Sequence, residues 1–145
     1  MTDFPPGITG LSLNFRIRAT NLSGFSVTSP SQATIIADVP LKPASPIIVQ
    51  SLTSATQITI QLTTPENGGS TLLGYDVEMD DVLGGGFSSI STTLLAVTRA
   101  SVTSTSHAVK KGLTYRFRYR AKNVIGFSNY SDTVSFMAAS VPDAP

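Results

Sequence analysis

Residues 117–128 read FRYRAKNVIGFS, and residues 15–26 read FRIRATNLSGFS. The two stretches are separated by 102 positions. Extending the same offset pairs Gly10 and Leu11 with Gly112 and Leu113, Ser29 with Ser131, and Ala37 with Ala139. It then pairs Val39 and Pro40 with Val141 and Pro142, and Pro43 with Pro145, without a gap. A fixed period defines the structural unit. This one is far too long for a solenoid repeat and suits one small sandwich domain of about 100 residues. The chain is therefore expected to hold one whole unit, residues 41–145, preceded in residues 1–40 by the tail of another.

Inside the quoted stretch the side chains alternate. Arg116, Arg118 and Arg120 interleave with Tyr115, Phe117, Tyr119 and Ala121. Period 2 puts the arginines on one face of a strand and the apolar residues on the other. The same alternation recurs elsewhere, and no helical period is sustained. Strand A is expected at 47–52 (IIVQSL), and strand B at 56–64 (TQITIQLTT) with Ile58, Ile60 and Leu62 on one face. The turn PENGGS at 65–70 combines proline with glycines. Strand C is expected at 72–81, with Tyr75, Val77 and Met79 facing one way and Asp76, Glu78 and Asp80 the other. A glycine turn at 83–87 leads to a short C′ strand (FSSIST, 87–92), and 94–109 holds a return crossing and strand E. Strand F occupies 113–123 and strand G 129–139. Seven short strands with regular turns imply an all-β, antiparallel sandwich. The join LKPASP reads as stiff and extended.

This pattern resembles the fibronectin type III family over residues 41–145, and over the F–G end of a preceding module in roughly 8–43. TPENGGSTLLGYDVEMDD is similar to the family's B–C turn and strand C. VKKGLTY is similar to its E–F corner, and YRFRYRAKNVIGFSNYSD to strand F, the F–G turn and the start of G. VPDAP resembles the join to a next module. The resemblance implies a seven-stranded immunoglobulin-like sandwich with Tyr115 as the tyrosine corner. It also implies that C and F are neighbours, so the acids of C oppose the arginines of F on the solvent face. Such pairs contribute roughly 0.2–1 kcal/mol each and help to set register. Two positions depart from the family. Leu62 stands where a core Trp is usual, so Tyr75 or Phe117 is expected to lean in. Leu13 stands in the first copy where Tyr115 stands in the second.

Composition narrows the function classes. Charged residues make up 13% and the net charge is +1, which gives no electrostatic case for nucleic acid or an anionic membrane. There is no cysteine, hence no disulfide, thiol nucleophile or zinc–thiolate site. No apolar run is long enough for membrane insertion. MTDFPPGITG has neither a basic segment nor an apolar core, so no signal peptide is expected there. His107 is the only histidine and is expected on strand E, partly exposed, without a metal. The glycines at 84–86 lack the lysine and helix start of a phosphate loop. No nucleophile-elbow pattern, EF-hand spacing or Arg-Gly-Asp tripeptide is present, so neither a catalytic residue nor a cofactor is expected.

The remaining features suit a non-enzymatic structural module of a tandem array: a spacer, adhesion or assembly element with protein partners, including copies of itself. Asn21-Leu-Ser and Asn129-Tyr-Ser are glycosylation sequons, which allow an extracellular or cell-surface setting with glycans. A cytoskeletal or ciliary scaffold, and an accessory spacer of a carbohydrate-active enzyme, are the alternatives. The loops at 65–70 and 123–128 are the candidate contact loops, and they carry Asn67 and Asn123. Arg16 and Arg18 repeat the charged stripe without an acidic strand of their own. A two-stranded hairpin is marginal alone, so strand donation of residues 1–40 to another chain is a further expectation.

Overall fold

The computed structural model describes residues 9–81, 83, 85–91 and 94–140. The closing VPDAP, one glycine of the 83–87 turn and the end of FSSIST lie outside these. The chain opens with a hairpin: β1 (Ser12–Phe15) pairs antiparallel with β4 (Gln32–Ile35), and β2 (Thr20–Asn21) with β3 (Gly24–Phe25) at its tip. The sandwich follows. One sheet runs β5 (Ile47–Ile48), β6 (Gln57–Gln61), β9 (Arg99–Thr103). The other runs β11 (Val134–Met137), β10 (Thr114–Lys122), β7 (Gly74–Asp80), β8 (Ser88–Ser89). Seven antiparallel strands in two sheets make the expected sandwich.

The core forms where the apolar faces of the two sheets meet. Ile58, Ile60, Leu62 and Val102 from one sheet face Tyr75, Val77, Tyr115, Phe117 and Tyr119 from the other, all buried. Each such side chain contributes roughly 1.5–3 kcal/mol over its exposed state. The space near Leu62 is taken by Tyr75 and Tyr119, whose rings meet edge to face at 5.9 Å. Their hydroxyls anchor just beyond Leu62: Tyr119 donates to the Thr63 carbonyl (2.9 Å) and Tyr75 to Thr64 Oγ1 (2.9 Å). Phe117 pairs with Phe136 at 6.0 Å.

Several strands are shorter than their sequence patterns. Strand A ends at Ile48, and Gln50–Leu52 is a 3-10 turn. Thr53 holds this turn by donating to the Val49 carbonyl while accepting from the Thr59 amide. Strand C′ is two residues long. Strand G forms a regular ladder only from Val134, because the serines before it intervene in the pairing. His107 is not on a strand. It ends a single helical turn, α1 (Ser104–His107), capped by Thr103 and Ser106 in a reciprocal capping box.

A charged face, a clasped joint and an open hairpin

The register of β10 on β7 places Arg116 opposite Asp80, Arg118 opposite Glu78 and Arg120 opposite Asp76. All three pairs close as ion pairs: Arg118 reaches Glu78 at 2.6 Å, Arg120 reaches Asp76 at 2.9 Å, and Arg116 grips Asp80. The row is not uniformly solvated, however. The Asp80 side chain is fully buried, while its partner Arg116 is 44% exposed. Strand C was expected to present all three acids to solvent; Asp80 instead lies inside, at the end of β7.

Aromatic rings cover the arginines. Arg118 stacks between Phe87 (4.1 Å) and Tyr130 (4.2 Å), and Arg120 between Phe127 (4.1 Å) and Tyr130 (4.5 Å). Each arginine thus spends its charge on a carboxylate and its plane on a ring. A basic stripe for phosphate or glycan needs those groups free. The Tyr130 hydroxyl donates to Glu78 Oε1 at 2.7 Å. Burial, then that hydrogen bond, push the Tyr130 phenol up to about 12. Burial likewise raises the Tyr119 phenol. Sequence reasoning missed the three rings because Phe127 lies in a turn, while Phe87 and Tyr130, expected at the starts of strands C′ and G, stand before β8 and β11, where period 2 gives no direction.

At the E–F corner, the buried Tyr115 hydroxyl accepts the Lys110 amide at 2.8 Å. Leu13 offers no such group in the first copy. His107 bridges Ser106 Oγ through Nδ1 (2.6 Å) and the Ile90 carbonyl through Nε2 (3.0 Å). Among the described residues, no group of three or more His, Cys, Asp or Glu side chains could hold a metal ion. No helix among them is long and apolar enough to cross a membrane.

The two candidate loops meet the join to the hairpin. The Asp38 amide donates to the Gly68 carbonyl (2.8 Å), and the Leu41 amide to the Glu66 carbonyl (3.0 Å). Asn123, fully buried, donates from Nδ2 to the carbonyls of Asp38 (2.7 Å) and Asn67 (2.9 Å). Its Oδ1 accepts from the amides of Ile125 and Gly126. Asn123 is therefore no surface contact: its amide is consumed in binding two loops and the join together. Asn67 Oδ1 caps its own turn through the Gly69 amide (2.9 Å). Gly68 and Gly69 sit at φ +67° and +83°, and a Cβ on Gly69 would lie 2.3 Å from the Gly10 nitrogen. Pro40, Pro43 and Pro46 are buried along the same join. Both sequon asparagines, Asn21 and Asn129, are exposed.

The leading hairpin repeats the backbone of the closing one. Ser26 and Ser29 each exchange two bonds with the opposite strand: their amides donate to the Ala19 and Ile17 carbonyls, and their hydroxyls accept the Ala19 and Ile17 amides. Ser128 and Ser131 do the same with Ala121 and Tyr119. Arg18 stacks on Phe25 at 3.9 Å as Arg120 does on Phe127. Yet Phe15 and Ile17 are 54% and 77% exposed, whereas Phe117 and Tyr119 are fully buried.

No family model matches the sequence. Among solved structures, consecutive domains of titin share 22% identity at a TM-score of 0.61, covering 85% of this chain and 39% of that one. The fibronectin type III domain of human fibronectin type III domain containing protein 3 shares 24% at 0.58, covering 72% and 91%. The kinase region of twitchin from C. elegans shares 21% at 0.57, covering 70% of this chain and 17% of that one. The chain thus spans well under half the length of the titin and twitchin structures it matches.

Proposed function

We propose that this chain, whose fold is that of a fibronectin type III module, is a structural interaction element of a tandem array and acts as a stiff spacer. Residues 1–40 close one repeat and residues 41–145 make the next. The single observation that carries this reading is the clasped join: residues 38–41 are held by backbone bonds to the 66–68 loop and by the buried amide of Asn123. Short, multiply bonded connections resist the hinge motion expected of open linkers. The arginine row supports the same reading, since each of its guanidinium groups is ion-paired with an acid of the neighbouring strand. The exposure of both sequon asparagines supports an extracellular setting, which a mass shift on glycosidase treatment of the secreted protein would test.

Residual dipolar couplings of the full chain test the joint. One alignment tensor should fit the amides of 12–35 and those of 57–137 together. In Gly69→Ala the added Cβ collides with the Gly10 backbone, so the hairpin couplings should shrink while the sandwich couplings persist. Separate tensors for the two parts in the unaltered chain would overturn the stiff-spacer reading.

A further inference from the structure

Asn67 is the only asparagine of the chain that precedes a glycine. A glycine has no Cβ to shield its amide nitrogen, and its backbone turns freely. A side-chain amide just before it is therefore open to attack by that nitrogen. Three features of the 65–70 turn favour the reaction. The Gly68 amide makes no hydrogen bond among the described residues. Asn67 is exposed, so water reaches it. Its Oδ1 accepts the Gly69 amide at 2.9 Å. That bond draws the side chain back over the backbone that follows, and sets a donor where negative charge grows as Cγ is attacked. Asn21 has the same arrangement, its Oδ1 accepting the Ser23 amide at 2.9 Å, but Leu22 follows it. Asn123 is buried, with both ends of its amide occupied.

We propose that Asn67–Gly68 is a self-modifying site, whose conversion to isoaspartate opens the clasp on residues 38–41. The Gly68 nitrogen gives its proton to hydroxide and bonds to Asn67 Cγ. The Cγ–Nδ2 bond breaks, and Nδ2 leaves as ammonia with a proton from water. In the five-membered imide that results, the Gly68 nitrogen holds both Cγ and the Asn67 backbone carbonyl carbon. Water then adds to that carbonyl carbon and breaks its bond to the nitrogen. A free carboxylate is left where the Asn67 carbonyl stood, and the main chain runs through Cβ and Cγ, one carbon longer.

The product does not fit the clasp. Asn123 Nδ2 donates at 2.9 Å to the carbonyl that becomes the carboxylate. The Gly68 carbonyl, which accepts the Asp38 amide at 2.8 Å, is displaced by the added carbon. Gly68 has no room to give, since a Cβ there would overlap the Asp38 and Val39 carbonyl oxygens. Conversion therefore frees the hairpin. The release rests on the stiff-joint reading; the chemistry at Asn67 does not.

The test ages the full chain in mildly alkaline buffer. It follows intact mass, fragment masses, carboxyl methylation by an isoaspartyl methyltransferase, and residual dipolar couplings. Expected is a gain of one dalton, placed at residue 67 as isoaspartate, with a methyl-accepting carboxylate appearing alongside it. Conversion should be at least tenfold faster there than at Asn21. The converted chain should lose the common alignment tensor of hairpin and sandwich. Asn67→Gln, whose longer side chain closes its ring far more slowly, should keep its mass, as should the unaltered chain held at mildly acidic pH. Conversion at Asn67 no faster than at Asn21 would overturn the site. Isoaspartate at 67 with one tensor intact would overturn the release. Two tensors in the fresh chain would sink the stiff joint and the release together, and the mass and methylation readouts would then decide the chemistry alone.

Discussion

Residues 10–37 and residues 112–139 are the same hairpin in two surroundings. The register is identical at the 102 offset: Ser12 faces Ile35 as Thr114 faces Met137, and Phe15 faces Gln32 as Phe117 faces Val134. The serine bonds recur, and so does the stack of an arginine on a phenylalanine. Even the turn is shared: Asn21 Oδ1 accepts the Ser23 amide and Asn123 Oδ1 the Ile125 amide, both at 2.9 Å. Burial is what differs. The hairpin's shape is thus written locally, in serines, glycines and asparagines that bond nearby backbone. Its stability comes from strands brought from elsewhere. The first copy even carries fewer apolar groups on its inner face, with Gln32 and Thr34 where the second has Val134 and Phe136.

Paired substitutions can break this comparison. The largest contrast is expected at Phe117→Ala against Phe15→Ala. The first opens a cavity in a closed core and should cost about 3–5 kcal/mol in denaturant unfolding of the sandwich. The second removes a half-exposed ring and should leave that transition within about 0.5 kcal/mol. Equal losses would mean the leading hairpin is buried in solution. Next is Asn123→Ala against Asn21→Ala. Removing the buried amide strands two carbonyls and two amides and should cost on the order of 2–3 kcal/mol. It should also free the hairpin, visible as lost agreement with a common alignment tensor. Asn21→Ala should move the sandwich transition by no more than a few tenths of a kcal/mol. Smaller again is Tyr115→Phe, which leaves the Lys110 amide to water and should cost about 1 kcal/mol. Leu13→Tyr, its mirror, should gain nothing measurable in this chain, because β1 pairs with β4 alone among the described strands.

How much of this was legible in the residues follows from which forces act at short range. Alternation in 114–122 and 74–80 set the strand faces, since these follow from period 2; that the acids oppose the arginines came from the resemblance to a family in which strands C and F are neighbours. Repetition of the serines lay in plain view, but their role did not, because a hydroxyl that replaces a ladder bond has no periodic signature. The helical turn at 104–107 was hidden for a similar reason: Thr103 and Ser106 form a capping box in a run of Ser and Thr that reads equally as strand. The joint was hidden most deeply. Its clasp on 38–41 combines residues near 38, 67 and 123, and the only local hints were Gly68 and Gly69, which also suit an ordinary turn. The burial of Asp80 depends on how the end of β7 packs, which no single strand encodes.

The charged face gives the finest discrimination between the copies. Tyr130 has Thr28 as its counterpart at the 102 offset, so the second hairpin alone places a phenol on an acid of strand C. Its pKa is raised to about 12 by burial and by donating to Glu78. A group whose folded pKa lies above the ordinary phenol value near 10 stabilises the fold fully below that value. The contribution is then lost as pH climbs toward 12, because the unfolded chain releases the proton first. The stability of the wild-type sandwich should therefore fall between pH 10 and 12. Tyr130→Phe should flatten part of that decline and lower stability only slightly at pH 7. The residue of the decline belongs to Tyr119, whose phenol burial also raises. An unchanged alkaline slope in Tyr130→Phe, measured by thermal melts across that window, would show that the hydroxyl is not coupled to Glu78, and that the aromatic row owes its order to stacking on the arginines alone.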